Sequence, residues 1–533
     1  MLAVQVLGAG CGESTVRESK PRQPTGEAGA AGVCDGCEGG AVGSGAAGSP
    51  SGGVVPVGGA DVAGVTGGAG EAGEAGASGT PPVLPTLRLR ELGITQTVEL
   101  PLMRELQEIP AAKRNAPLIA GKRALTRAYF DLDPGFQARP LRGVLDLKDG
   151  ARSRSIVSEL TPLSSSTKEP LGSSFVFEVP PSELTPTATY RVRVLDVDAA
   201  VLAQFPGSGY LELGARSLQP FELRLVPMTI NGFAPLLGDA ELSALRKRAL
   251  ALFPSAELEL SVAAPFELDY LVSGDGDGWD QALDDLLTQR TQQAPKPNVF
   301  FYGLMAPAAS YSSYCGGSCT LGLSYVAEPD SESERGSIGV SVFVDGSGAK
   351  DAWDTLLHEL GHALGRDHAD CGDPDGPDPS YPYKNATLGE TYGYDFELAK
   401  LLKPKVYRDV MSYCSPVWIS DYTYSAVFER LAYIDGSAFR ALSWSPPETL
   451  RVARIDRHGL SHWRGERSGR RGARLRAFEL LNAAGQRVGS AQGRVSRLDH
   501  LPGGSVWLSA LELARSGAFA VDLRPVGGSV LPL

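Results

Sequence analysis

Residues 358–368 read His358-Glu359-Leu360-Gly361-His362-Ala363-Leu364-Gly365-Arg366-Asp367-His368. On a helix the first two histidines are four apart, so they share a face, one turn above the other. Both imidazoles then reach one ion. Glu359 flanks the same spot, placed for a water held there rather than for the ion itself. Gly365 follows three residues after His362, where a glycine takes φ > 0 and ends the helix. The chain then folds back and His368 approaches as a third nitrogen ligand. Three histidines with a fourth position open is a catalytic zinc arrangement, not a closed structural one. The chain has only 6 histidines in 533 residues, and three of them fall in this window. Chance would place three at fixed positions about once in 10⁶ starts, so the cluster is a site rather than a surface accident. Trp353, Leu356, Leu357, Leu360 and Leu364 recur at three- and four-residue spacing. One helix face therefore packs inward while the histidines leave from another.

Met411 lies 43 residues beyond His368, in Asp409-Val410-Met411-Ser412-Tyr413-Cys414. An HExxHxxGxxH helix followed by this segment resembles the metzincin zinc endopeptidases, which combine that motif with a methionine turn. The resemblance implies that His358, His362 and His368 ligate one Zn2+ and that Glu359 is the general base. Met411 forms the apolar floor under the metal. Tyr413, two residues on, matches a tyrosine of the astacin-like and serralysin-like branches that ligates zinc or contacts the oxyanion. Ala369-Asp370-Cys371 after the third histidine departs from those branches. The start of the chain, the sandwich and the late cysteines look similar to secreted bacterial proteases of the ToxR-regulated lipoprotein sort. In the implied reaction, zinc brings the pKa of a water to about 7. Glu359 takes its proton during attack on a peptide carbonyl and passes it to the leaving amine. Zinc and Tyr413 carry the oxyanion charge. The implied substrate is a protein or glycoprotein in extended conformation along an edge strand, for which residues 321–326 are the candidate. Residues 415–424 should wall the pocket with Trp418, Tyr422 and Tyr424.

Outward from this centre, texture divides the chain into a multidomain protein. Residues 86–225 alternate apolar and polar in short runs punctuated by Pro and Gly, which predicts an N-terminal, immunoglobulin-like β-sandwich. Residues 226–442 alternate helical and strand patterns, which predicts an α/β metzincin-like catalytic domain. Residues 443–533 return to short strands, a small C-terminal β domain. Nine arginines between Arg451 and Arg476 read as a solvated, strongly twisted surface rather than a binding patch.

The first 20 residues hold a short apolar run, ending in small residues before Cys11, that reads as an export or lipoprotein signal remnant, with Cys11 a candidate lipid anchor. Residues 21–85 are a disordered linker: 20 of the 60 residues 21–80 are glycine, too little apolar area to offset chain entropy. Cys34 and Cys37 lie in it without a second pair. No run is long and apolar enough for a membrane helix. The net charge of -12 argues against nucleic acid as partner. The expected location is extracellular or on a bacterial cell surface. Four cysteines remain in the folded region, and three connectivities are open to them. In the implied fold Cys371 and Cys414 both flank the ion, so the expected pairs are Cys371–Cys414 and Cys315–Cys319. Asp370, Asp373, Asp375 and Asp378 are spaced so that a Ca2+ site comes to mind, but the pattern lacks the EF-hand order and closing glutamate, and a solvated loop is the expectation. The leading function is a secreted or surface-anchored zinc endopeptidase; the competing one is an exported adhesin or binding protein on the same scaffold.

Overall fold

The computed structural model describes residues 86–329, 331–436, 448–455, 461–469, 475–516 and 522–525, all within one compact unit. The signal-like start with Cys11 and the glycine-rich linker with Cys34 and Cys37 lie outside the described residues.

The alternating N-terminal pattern folds into two antiparallel sheets. One runs Gln107–Glu108, Glu99–Arg104, Leu87–Thr95, Ala124–Leu132, Phe175–Val179; the other places Leu141–Asp149 between Arg152–Leu160 and Thr189–Leu195. In Thr189–Leu195 the buried residues are Tyr190, Val192 and Val194, every second position, because successive strand side chains point to opposite faces. The two sheets face one another, with Phe175 and Phe177 of the first against Gly143 of the second.

The next sheet is ordered Leu258–Val262, Phe221–Ile230, Val299–Met305, Gly336–Val340, Gly322–Ser324. The first four strands are parallel, and Gly322–Ser324 runs antiparallel at the edge. Parallel neighbours need crossovers, here the helices Asp239–Leu252 and Trp279–Gln293. Val299–Met305 sorts its side chains by the two-residue period. Phe300, Tyr302 and Leu304 join Leu356, Leu357 and Leu360 of the helix Ala349–Ala363, while Phe301 and Met305 join Leu283, Leu286 and Leu287 of Trp279–Gln293. The change of texture expected at Val226 falls inside the strand Phe221–Ile230. That strand alternates buried and half-buried residues as the sandwich strands do, so composition alone does not mark its start.

The C-terminal strands form one antiparallel sheet ordered Ser461–Gly469, Glu448–Ile455, Gly504–Ser509, Arg487–Arg497, Leu475–Leu481, Asp522–Pro525. Three arginines of the cluster are not simply solvated, while Arg457, Arg470, Arg471 and Arg474 lie outside the described residues. Arg454 is buried and pairs with Asp280, Arg464 lies 3.4 Å from Asp284, and Arg467 donates to Thr288 Oγ1 at 3.0 Å. All three acceptors belong to the helix Trp279–Gln293, so the basic sheet docks on an acidic helix face. Arg494 makes a buried pair with Glu334 at 3.2 Å.

The sandwich is joined to the parallel-sheet part through residues 96–98 and their surroundings. Trp418 Nε1 donates to Thr97 O at 3.0 Å, and Thr97 Oγ1 donates to Ala251 O at 2.8 Å. Beside them Lys122 is buried with its ammonium donating to Phe253 O at 2.6 Å. Burial pushes its amine down to about 7. An unfolded lysine titrates near ~10.4. Between those values the unfolded chain holds a proton that the folded chain lacks, so this group makes stability rise with pH across that window. Lys122→Met should abolish that rise. Denaturant midpoints should show the variant more stable by roughly 2–4 kcal/mol at pH 7, after the lost hydrogen bond is set against the relieved desolvation. The advantage should shrink or reverse by pH 10; a difference that does not move with pH would refute the assignment.

Candidate metal centre

The helix Ala349–Ala363 forms because Trp353, Leu356, Leu357 and Leu360 line one face against the sheet. Its end is a Schellman turn: Gly365 has φ 78°, its N–H donates to His362 O at 2.7 Å, and Arg366 N–H donates to Gly361 O at 2.9 Å. Only a residue without Cβ holds that φ at low cost. The reversal carries the chain back so that His368 returns to the helix face occupied by His358 and His362.

The three imidazoles converge. His362 Nε2 lies 3.1 Å from His358 Nε2 and 3.2 Å from His368 Nε2. Their other nitrogens are tied to backbone carbonyls: His358 Nδ1 to Val410 O at 2.7 Å, His362 Nδ1 to Arg366 O at 2.6 Å, His368 Nδ1 to Asp375 O at 3.0 Å. A carbonyl only accepts, so each Nδ1 carries the proton and each neutral Nε2 presents a lone pair. Burial lowers all three, His358 to about 4, and the crowding of imidazoles adds to it. Three neutral lone pairs at this spacing repel unless a cation sits among them. The donor set therefore fits a metal ion, and carbonyl-oriented histidines are the usual outer support of such ions.

Met411 is buried under the helix against Gly361, where a Cβ would come within 2.3 Å of its sulfur. Asp409 shapes this turn: its carboxylate accepts from Met411 N–H at 2.9 Å and Ser420 N–H at 2.8 Å. The His368 segment is fastened to the same turn. Ala369 N–H donates to Met411 O at 2.8 Å, Tyr413 N–H donates to Cys371 O at 3.1 Å, and a disulfide joins Cys371 to Cys414. A second disulfide joins Cys315 to Cys319. Glu359 is buried beside the histidines, against Gly322 of the edge strand. Burial, then the neighbouring Asp499 carboxylate, hold Glu359 well above the usual range. Tyr413 O–H lies 3.2 Å from His368 Nε2, and burial raises its pKa further than the nearby carboxylates do.

Two residues at this centre were not singled out from the sequence. Asp499 Oδ2 lies 3.3 Å from His362 Nε2, and His500 lies between Glu359 Oε1 at 3.0 Å and Tyr413 O–H at 2.6 Å. Both come from the loop between Arg487–Arg497 and Gly504–Ser509 of the C-terminal sheet. The only signal was that His500 is one of six histidines; no local spacing links it to residues 358–368.

Other expected positions fall elsewhere. Trp418 and Tyr424 are buried in the core rather than lining a pocket, because Trp418 anchors the sandwich. Tyr422 donates to Asp378, which also pairs with Arg366 at 3.1 Å. The acidic loop serves the centre through the Asp375 carbonyl. Among the described residues the two side-chain groups that could hold a metal both include His362, and neither includes Asp370, Asp373, Asp375 or Asp378. The outer edge of residues 321–326 is covered by residues 497–499.

The family model for Peptidase M66 matches residues 327–415, a stretch holding the three histidines, Glu359, Met411 and Tyr413. No curated protein matches the chain. A solved structure of Parabacteroides merdae β-glucuronidase aligns at 13% identity over 41% of this chain and 30% of that one, with a TM-score of 0.12 that carries no structural argument. The chain thus spans under a third of that protein's length. Residues 327–415 are similar to a metallopeptidase family, and that similarity coincides with the histidine centre.

Proposed function

We propose that the chain is an exported zinc endopeptidase of the metzincin type, acting on protein or glycoprotein chains in extended form. The observation that carries this reading is the convergence of three Nε2 lone pairs beside a buried glutamate, within the stretch similar to Peptidase M66. The α/β arrangement with β domains on either side, and Met411 beneath the histidines, belong to the same reading. Two disulfides favour an oxidising compartment, and with Cys11 as a lipid anchor that compartment is the bacterial cell surface. No helix among the described residues is long and apolar enough to cross a membrane.

His358, His362 and His368 would hold the ion. Zinc, when bound, supplies a Lewis acid that activates water near neutral pH and polarises a carbonyl. Glu359 takes the proton released by the attacking water and delivers it to the departing amine. Tyr413 points its O–H at the region where negative charge develops on the former carbonyl oxygen. In this reading the substrate strand would be added at Gly322–Ser324, whose outer edge is covered by residues 497–499 in this structure.

Glu359→Gln should lower chelator-sensitive casein hydrolysis by roughly 10²–10⁴-fold, with one zinc per chain still bound because the nitrogen ligands are untouched. Near-normal turnover in that variant would sink the mechanism. Tyr413→Phe should lower kcat with little change in KM, since an oxyanion contact acts mainly in the transition state. Steady-state kinetics that show only a raised KM would make Tyr413 a substrate-positioning residue.

A further inference from the structure

We propose that the cavity between the C-terminal sheet and the turn at Gly365 is a binding site for a small organic carboxylate, held by Arg430 and Arg476. Its lining includes none of the three histidines, so the inference does not depend on what their centre catalyses.

The cavity encloses about 520 Å3, and its walls include Val326, Ala327, Gly365, Arg430, Arg476 and Arg497. The helix Asp421–Ile434 supplies Arg430, and the strand Leu475–Leu481 supplies Arg476. The Arg430 guanidinium has a fixed place. Its Nη1 donates to Ala327 O at 3.2 Å, and its Nη2 lies over Gly365, where a Cβ would collide with it. Gly365 is therefore required twice, once for its positive φ and once for the room it leaves this side chain. The Ala327 wall is itself anchored, because its N–H donates to His362 O at 3.1 Å.

Charge in the cavity is unbalanced. The lining holds three arginines against two carboxylates, and Asp367 is already paired with Arg497. That leaves Glu328 alone against Arg430 and Arg476. Among the described residues the one hydrogen bond of Arg430 goes to a carbonyl, and Arg476 is exposed without an ion pair. Burial pushes the Arg430 guanidinium down to about 10, Arg335 adds to the push, and Glu328 opposes it. A cation partly withdrawn from water and lacking a counter-charge is costly, and an anion beside it removes the cost. The chain as a whole carries a net charge of -12, so this positive surplus is local.

The donors and the walls select the ligand. A guanidinium edge offers two parallel N–H groups that match the two oxygens of a carboxylate. With Nη1 on Ala327, Nε and Nη2 of Arg430 have no acceptor among the described residues. Val326, Leu475 and Val495 add apolar wall. A cavity of this size and mixed lining suits an anion carried on a short carbon skeleton better than a bare inorganic ion.

The test is calorimetric titration of the full chain with succinate in chloride buffer, with sulfate as the inorganic counterpart. The wild-type chain should bind succinate saturably and more tightly than sulfate. Arg430→Gln should weaken binding roughly tenfold or more, through the loss of charge-assisted hydrogen bonds. Arg476→Gln, at an exposed position whose replacement leaves the fold intact, should weaken it by roughly two- to fivefold. Glu328→Gln should tighten it, because a repelling charge is gone, and a damaged fold would not do that. A wild-type chain that takes up no succinate, affinities unchanged in both arginine variants, or saturable binding of sulfate without succinate overturns the proposal. So does succinate binding that survives Arg430→Gln and disappears in His358→Ala, since that ligand would sit at the histidine centre.

Discussion

Each of the three histidines has committed its only ring proton to a backbone carbonyl, which forces three lone pairs toward a common point. The carbonyls come from three places: Arg366 at the helix end, Val410 beside Met411 and Asp375 in the acidic loop. The orientation of the rings therefore depends on every segment around them being in place. This gives ordinary-looking pieces a definite part. The Schellman turn at Gly365 both returns His368 and positions the carbonyl that orients His362. The turn at Met411 packs its side chain under the helix and also supplies the acceptor for His358. Asp409 shapes that turn with two backbone N–H donors, and it touches no imidazole in doing so.

The C-terminal sheet is bound to the part that holds the histidines by charge as much as by apolar contact. Arg454, Arg464 and Arg467 meet the acidic face of Trp279–Gln293, and Arg494 meets Glu334 away from solvent. Buried pairs of this kind add little net stability against an apolar replacement, yet leaving one partner alone is costly. They hold the sheet in one seating against the helix Trp279–Gln293 and Glu334. That seating sets where the loop 497–503 reaches.

The residues legible in the sequence were those whose partners are near in the chain. His358, Glu359, His362, Gly365 and His368 lie within eleven positions, and helix periodicity links them directly. Alternation likewise marked strands such as Thr189–Leu195. The start of Phe221–Ile230 was not legible, because a strand entering a parallel sheet can alternate like one in a sandwich. Asp499 and His500 were not legible because 131 residues separate His368 from Asp499 (499 − 368), and no period survives such a loop. Arg454, Arg464 and Arg467 were read as solvated for the same reason: the helix they meet lies more than 150 residues earlier in the chain. Trp418 and Tyr424 were read as pocket walls from their position after Met411, whereas the sandwich, built from the other end of the chain, claims that side for the core.

The order of these parts along the chain has a bearing on time. Cys414 completes the segment that holds the histidines, and Asp499 follows 85 residues later (499 − 414). At ribosomal rates of about 5–20 residues per second, the loop emerges roughly 4–17 s after the last residue of the centre has been made. For that interval the three histidines, Glu359 and Tyr413 exist without the Asp499–His500 segment that packs against them. Loading with metal before translation ends would meet an uncovered centre, while loading after release would meet one already covered. The late position of one small loop thus means that the centre is completed in two stages separated in time.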